Sequence, residues 1–142
     1  MNIESNQLVP ELSVTNCQRS IDFYTKICGF SIAYQRVDEG FAFLVLNEVQ
    51  IMIDEIGKGR TWKTSEFEYP LGRGINLQIE VDSIDPILNN LKLANINLFM
   101  EVEEKWYRKN EIEVGNRQFL VQNPDGYLLR FTEDLGERQL TK

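Results

Sequence analysis

Apolar and polar positions along the chain switch between two periods. In LVPELSVT, residues 8–15, Leu8, Leu12 and Val14 fall on one parity and Val9, Glu11 and Ser13 on the other, as a strand requires. From Cys17 to Cys28 the apolar residues Ile21, Tyr24, Ile27 and Cys28 recur at helical spacing; Thr15 or Asn16 can cap the start, and Gly29 stands where a C-terminal cap belongs. FSIAYQRV, FAFLVLN and VQIMIDE predict three further strands, the last two joined by a short turn at Asn47-Glu48. Residues 7–55 thus read as one βαβββ module.

A connector follows over residues 56–74, with four of the nine glycines and no periodicity. The order then recurs. INLQIEVD (75–82) predicts a strand, and SIDPILNNLKLAN (83–95) a helix with Ser83 as a candidate cap and Pro86 in its first turn. INLFMEVEEK, RQFLVQ and YLLRF complete a second module over residues 75–133, with 134–142 left as a tail. The fold class expected is α+β: a single domain, 1–142, of two βαβββ modules paired as half-barrels.

Strand alternation divides each module into a helix-side set and an opposite set. Leu12, Val14, Ile51, Ile53, Leu77, Ile79, Val81, Leu129 and Phe131 form the first; Glu11, Ser13, Gln50, Met52, Asn76, Gln78, Glu80 and Arg130 form the second. With a two-residue turn at Asn47-Glu48, Phe43 lies beside Met52 and Phe41 beside Asp54; a four-residue loop from Asn123 to Gly126 sets Phe119 beside Arg130. A polar sheet face is what plain solvation produces, but Phe41, Phe43, Met52 and Phe119 mixed with amides and charges have the composition of a ligand cup. Phe41 and Phe43 suit an ordinary core equally well. The adjacent Trp106 and Tyr107, in a charged stretch, add a candidate binding or interface surface.

Composition narrows the chemistry. A net charge of -7 without a long basic run argues against nucleic acid as a partner. No apolar run of membrane-crossing length and no signal peptide is evident, so a soluble, cytoplasmic protein with no membrane partner is expected. Cys17 and Cys28, about 16 Å apart along one predicted helix, are expected as free thiols. The absence of histidine removes Ser-His-Asp, Cys-His and HExxH chemistry.

The run QRSIDFYTKICGF (18–30), preceded by VPELSV, and the later NPDGYLLRF resemble the vicinal oxygen chelate superfamily, which includes glyoxalases, extradiol dioxygenases and bleomycin-resistance proteins. The resemblance implies paired βαβββ modules and a homodimer. It also implies four metal-ligand positions, which fall on Val9, Met52, Asn76 and Arg130: an alkyl group, a thioether, an amide and a guanidinium. Of the superfamily, the metal-free bleomycin-resistance proteins fit best, Phe41 matching an aromatic that stacks on ligand there. The tryptophan expected in that group falls on Gly115, leaving stacking to Trp106, Tyr107 or Trp62.

A small-molecule binding homodimer is therefore expected, sequestering an aromatic antibiotic-like ligand, cationic or neutral, through Glu11, Phe41, Phe43, Met52, Asn76, Gln78, Trp106, Tyr107, Phe119 and Arg130. Neither a metal, a cofactor nor a catalytic residue is expected. The alternatives are a glyoxalase-like lyase or isomerase, or a dioxygenase, with metal on Glu11, Gln50 or Glu80 or with Arg130 clamping an enolate, and a scaffold for protein partners.

Overall fold

The structure, a computed structural model, describes residues 4–140 and forms two compact units, one up to Leu71 and one from Gly72. In the first unit β1 (Glu11–Val14) leads into α1 (Cys17–Asp22), followed by β2 (Ser31–Arg36), β3 (Phe41–Leu46) and β4 (Val49–Glu55). The sheet order is β1-β4-β3-β2, with β1 parallel to β4 and the other pairs antiparallel. The second unit repeats this plan. Its elements are β5 (Asn76–Glu80), α2 (Asp85–Leu93), β6 (Met100–Lys109), β7 (Ile112–Gln122) and β8 (Leu128–Gln139), in the order β5-β8-β7-β6.

Local chemistry sets the start and end of α1. The Asn16 side chain accepts the Arg19 N–H at 2.9 Å, and Glu55 Oε1 on β4 accepts the Cys17 N–H at 2.8 Å, so two backbone donors of the first turn are satisfied. The helix widens into a π-turn over Phe23–Ile27, closed by the Cys28 N–H on the Phe23 carbonyl, and Gly29 ends it at φ 86°. Glu55 shares its strand parity with Ile51 and Ile53, so these two face α1, and burying side chains of that size stabilises by about 1.5–3 kcal/mol each. Both cysteines are free and buried; burial pushes the Cys28 thiol far above its ordinary range, and burial followed by the Glu55 charge raises that of Cys17.

The hairpin β3–β4 has the predicted register: Leu46 faces Val49, Phe43 faces Met52 and Phe41 faces Asp54, with Asn47 at φ 53° in the turn. The register of β7–β8 corrects the expectation. Gln122 pairs with Leu128, so Phe119 faces Phe131, and Arg130 faces Leu120. The loop is one residue longer than counted, because Asn123 holds Tyr127 inside it: the Asn123 N–H donates to the Tyr127 carbonyl, and Asn123 Oδ1 accepts from the Asp125 and Tyr127 N–H groups. A slip of one residue reverses a side chain's face. Phe119 stacks on Phe131 at 5.5 Å, on the face where Glu133 Oε1 accepts from the Ile84 N–H at the start of α2 and from Arg117.

Two further boundaries differ from the pattern. β1 begins at Glu11, beyond Val9 and Pro10, and Leu8 is exposed. β6, β7 and β8 extend into a ribbon, with β8 reaching Gln139 through residues read as tail. EEKWYRKN and TEDLGERQ are charged on both parities, so these paired, solvated strands leave no apolar alternation to detect. Among the described residues no helix is long and apolar enough to cross a membrane.

Phe119 is fully buried against Phe131, so Phe119→Ala should cost about 3–5 kcal/mol in urea unfolding, whereas a cup-lining ring would cost little. A loss below about 1 kcal/mol would contradict the register described above.

Candidate functional site

The face of the first sheet turned away from α1 gathers four strands into two rows. Glu11 pairs with Met52, Met52 with Phe43 and Phe43 with Tyr34; one step along, Ser13 pairs with Asp54, Asp54 with Phe41 and Phe41 with Arg36. Aromatic rings occupy the centre. Tyr34 stacks on Phe43 at 5.2 Å and 17°, and its ring lies 5.9 Å from that of Phe41. Phe41 and Phe43 are only 5% and 3% exposed, buried although they lie off the α1 face.

A cavity of about 280 Å³ opens at this face, walled by Glu11, Glu39 and Asp54 together with Phe41, Trp62, Arg36 and Arg60. Trp62, in the segment after β4, is 73% exposed, so most of its ring remains available for contact. The Arg36 guanidinium lies 4.0 Å over the Phe41 ring and is hydrogen-bonded to Glu39. Burial pushes the Glu11 carboxyl above its ordinary range, the Asp54 charge adds to this, and Arg36 opposes it. Burial raises Asp54 as well, with Arg36 opposing and Glu39 adding. The wall thus sets three carboxylates and two guanidiniums beside aromatic surface, and positive charge close to Glu11 and Asp54 opposes the effect of burial on them.

The second unit carries a different arrangement. Gln78, Arg130 and Leu120 share one row, and Arg130 Nη2 donates to Gln78 Oε1 at 2.5 Å; the Arg130 Nε–H is buried without a partner. Asn76 stands one row away opposite Leu128, exposed. Gln118 Nε2 donates to Glu103 Oε1 at 3.0 Å and to the Tyr107 hydroxyl at 2.7 Å, which puts Tyr107 on this face.

Trp106, its neighbour along the strand, points the other way, so the two rings do not form one surface. The Trp106 ring lies directly over Gly115, where a Cβ would fall 2.7 Å from three ring carbons, and Arg138 covers it at 4.0 Å. Trp106 thus fills the space that Gly115 leaves open.

The predicted site residues accordingly separate. Glu11, Phe41, Phe43 and Met52 come together in the first unit, and Asn76, Gln78, Arg130 and Tyr107 share a face of the second; Phe119 and Trp106 lie on the reverse face of their sheet. Tyr34, Arg36, Glu39 and Asp54 were missed as site residues. Counting back from Asn47-Glu48 reaches Asp54, but extending the count to β2 fails at the bulge between Ile32 and Tyr34.

The metal-ligand positions do not suit a divalent ion. Val9 precedes β1, and Met52 has Glu11 as its neighbour in the row, a soft thioether beside a single carboxylate. Arg130 places a permanent cation where a ligand would stand. Among the described residues no three His, Cys, Asp or Glu side chains form a group able to hold a metal.

Comparison with known proteins agrees with this architecture. A family model described as the Glyoxalase/Bleomycin resistance protein/Dioxygenase superfamily matches residues 6–131. Bleomycin resistance proteins of Geobacillus stearothermophilus and Staphylococcus aureus are 27% identical over 138 residues, covering 91% of this chain and 97% of theirs. In structure the chain is similar to TioX from Micromonospora sp. ML1, at TM-score 0.70 and 21% identity with 92% and 100% of the two chains covered. It is also similar to the bleomycin resistance determinant encoded on transposon Tn5, at TM-score 0.59 and 16% identity with 92% and 99% covered. The repeated βαβββ order and a family match spanning both units lead to one conclusion: the chain belongs to the glyoxalase/bleomycin resistance protein/dioxygenase superfamily.

Proposed function

We propose that the protein is a metal-free, non-catalytic small-molecule binder of the bleomycin-resistance type, which as a homodimer lowers the free concentration of an aromatic, cationic ligand by mass action. The observation that carries this reading is the cavity of the first unit, where Glu11, Asp54 and Glu39 stand beside Phe41 and Trp62. Carboxylates attract the ligand's charge, and the rings offer flat apolar contact. The names of the similar proteins from Geobacillus and Staphylococcus support bleomycin as the first ligand to test.

The chain has two tryptophans, of which Trp62 lines the cavity and Trp106 does not. Titration with bleomycin should quench fluorescence in wild type and in Trp106→Phe, and Trp62→Phe should lose the response. Unchanged emission at micromolar drug would remove bleomycin as the ligand, and a response retained in Trp62→Phe would move the site elsewhere.

Glu11 and Asp54 both titrate above their ordinary range in the free protein, and a bound cation favours their ionised forms. Binding should therefore release protons, and affinity should rise with pH through the raised pKa values and level off once both groups are ionised. Calorimetry in buffers of different ionisation enthalpy measures the release. Glu11→Gln and Asp54→Asn should each weaken binding about tenfold at neutral pH, roughly 1.4 kcal/mol, and the double variant should flatten the pH profile. Affinity that rises on acidification would count against the carboxylates as the cation's partners.

A further inference from the structure

Arg36 occupies an unusual position for a residue at the end of an edge strand. Its guanidinium lies over Phe41 at 4.0 Å, pairs with Glu39, and faces the cavity that Glu11 and Asp54 also line. Its charge acts on both of those carboxyls. The protein's own flat cation thus rests on the aromatic surface, among the acids, that a cationic ligand would use.

We propose that Arg36 holds the seat of the ligand's charged group in the free protein, and that the site selects a planar, delocalised cation of the guanidinium or amidinium class which displaces it from Phe41. This rests on the reading of the cavity as a binding site. A planar cation reproduces what Arg36 does there, stacking by its face while its N–H fork reaches carboxylates; an ammonium is a point charge that cannot do both. Displacement is feasible because the seat is lightly held. The Arg36 side chain is 49% exposed and its partner Glu39 51%, and an exposed ion pair is weak, so the contacts an incoming cation must replace are those with the Phe41 ring and the Tyr34 side chain. Since among the described residues β2 has no neighbour on its outer side in the sheet, the released side chain can turn outward without disturbing β3.

Benzamidinium and benzylammonium, a planar and a tetrahedral cation on the same ring, test the proposal against wild type, Arg36→Met and Arg36→Lys. Benzamidinium should bind wild type about tenfold tighter than benzylammonium and should bind Arg36→Met about tenfold tighter again, with Arg36→Lys between. In wild type the Arg36 Nε–H resonance, shifted by the Phe41 ring, should move to its solvent position as benzamidinium saturates. A long-range charge effect alone would leave Arg36→Lys at wild-type affinity and that resonance in place, which overturns the proposal. Wild type that binds as tightly as Arg36→Met, or binds both probes equally, overturns it too while leaving the cavity a cation site. If no variant binds either cation, the binding reading fails and this inference fails with it.

Discussion

The register of the β3–β4 hairpin is the constraint from which the candidate site follows. With Leu46 opposite Val49, the period of two along each strand puts Phe41, Phe43, Met52 and Asp54 on one face and leaves Ala42, Leu44, Ile51 and Ile53 for α1. Shifting the pairing by one residue would bury Asp54 against α1 and expose Ile53, so the apolar face enforces the polar one. Asn47, in the left-handed region at φ 53°, is a residue type that tolerates the tight turn this register needs. The candidate surface is therefore a by-product of burying the core.

That surface is stable without a ligand because its charges are already partly balanced. Glu11, Asp54 and Glu39 near one another would repel, and burial alone raises the first two. Arg36 offsets this from β2 while its flat face covers Phe41. A half-exposed arginine there supplies countercharge to the acids while its own ion pair with Glu39 stays solvated.

The repeat, the two helices and the eight strands were legible because apolar period survives wherever one face is buried. The Asn47-Glu48 turn was legible to the residue, since a two-residue hairpin leaves no freedom in counting. Phe119 was misplaced for the complementary reason: NPDG looks like a complete four-residue loop, and only the Asn123 side chain shows that Tyr127 belongs to it. Trp106 was read as half of an exposed pair because nothing in EEKWYRKN reveals that Gly115 lies opposite with an empty surface to cover. Arg36 and Tyr34 escaped notice because β2 bulges after Ile32 and is exposed along most of its length, so its pattern reads as solvation.

The two units share one topology but present different chemistry at equivalent rows. In the first, Glu11 and Met52 open the parallel pair β1–β4; in the second, Gln78 and Arg130 stand at the centre of β5–β8. An acid beside a thioether draws cations and polarisable surface, whereas an amide bonded to a guanidinium retains an N–H, that of Arg130 Nε, able to meet an acceptor. A repeated fold thus need not mean a repeated site. Each unit keeps the apolar parity that packs its helix, while the opposite parity carries Phe41 and Phe43 in the first unit and Gln78 and Arg130 in the second. Met52 and Arg130, at positions that would chelate a metal elsewhere in the superfamily, lie on that opposite parity, away from the helix-packing face, so a methionine and an arginine fit there without disturbing how the helix packs.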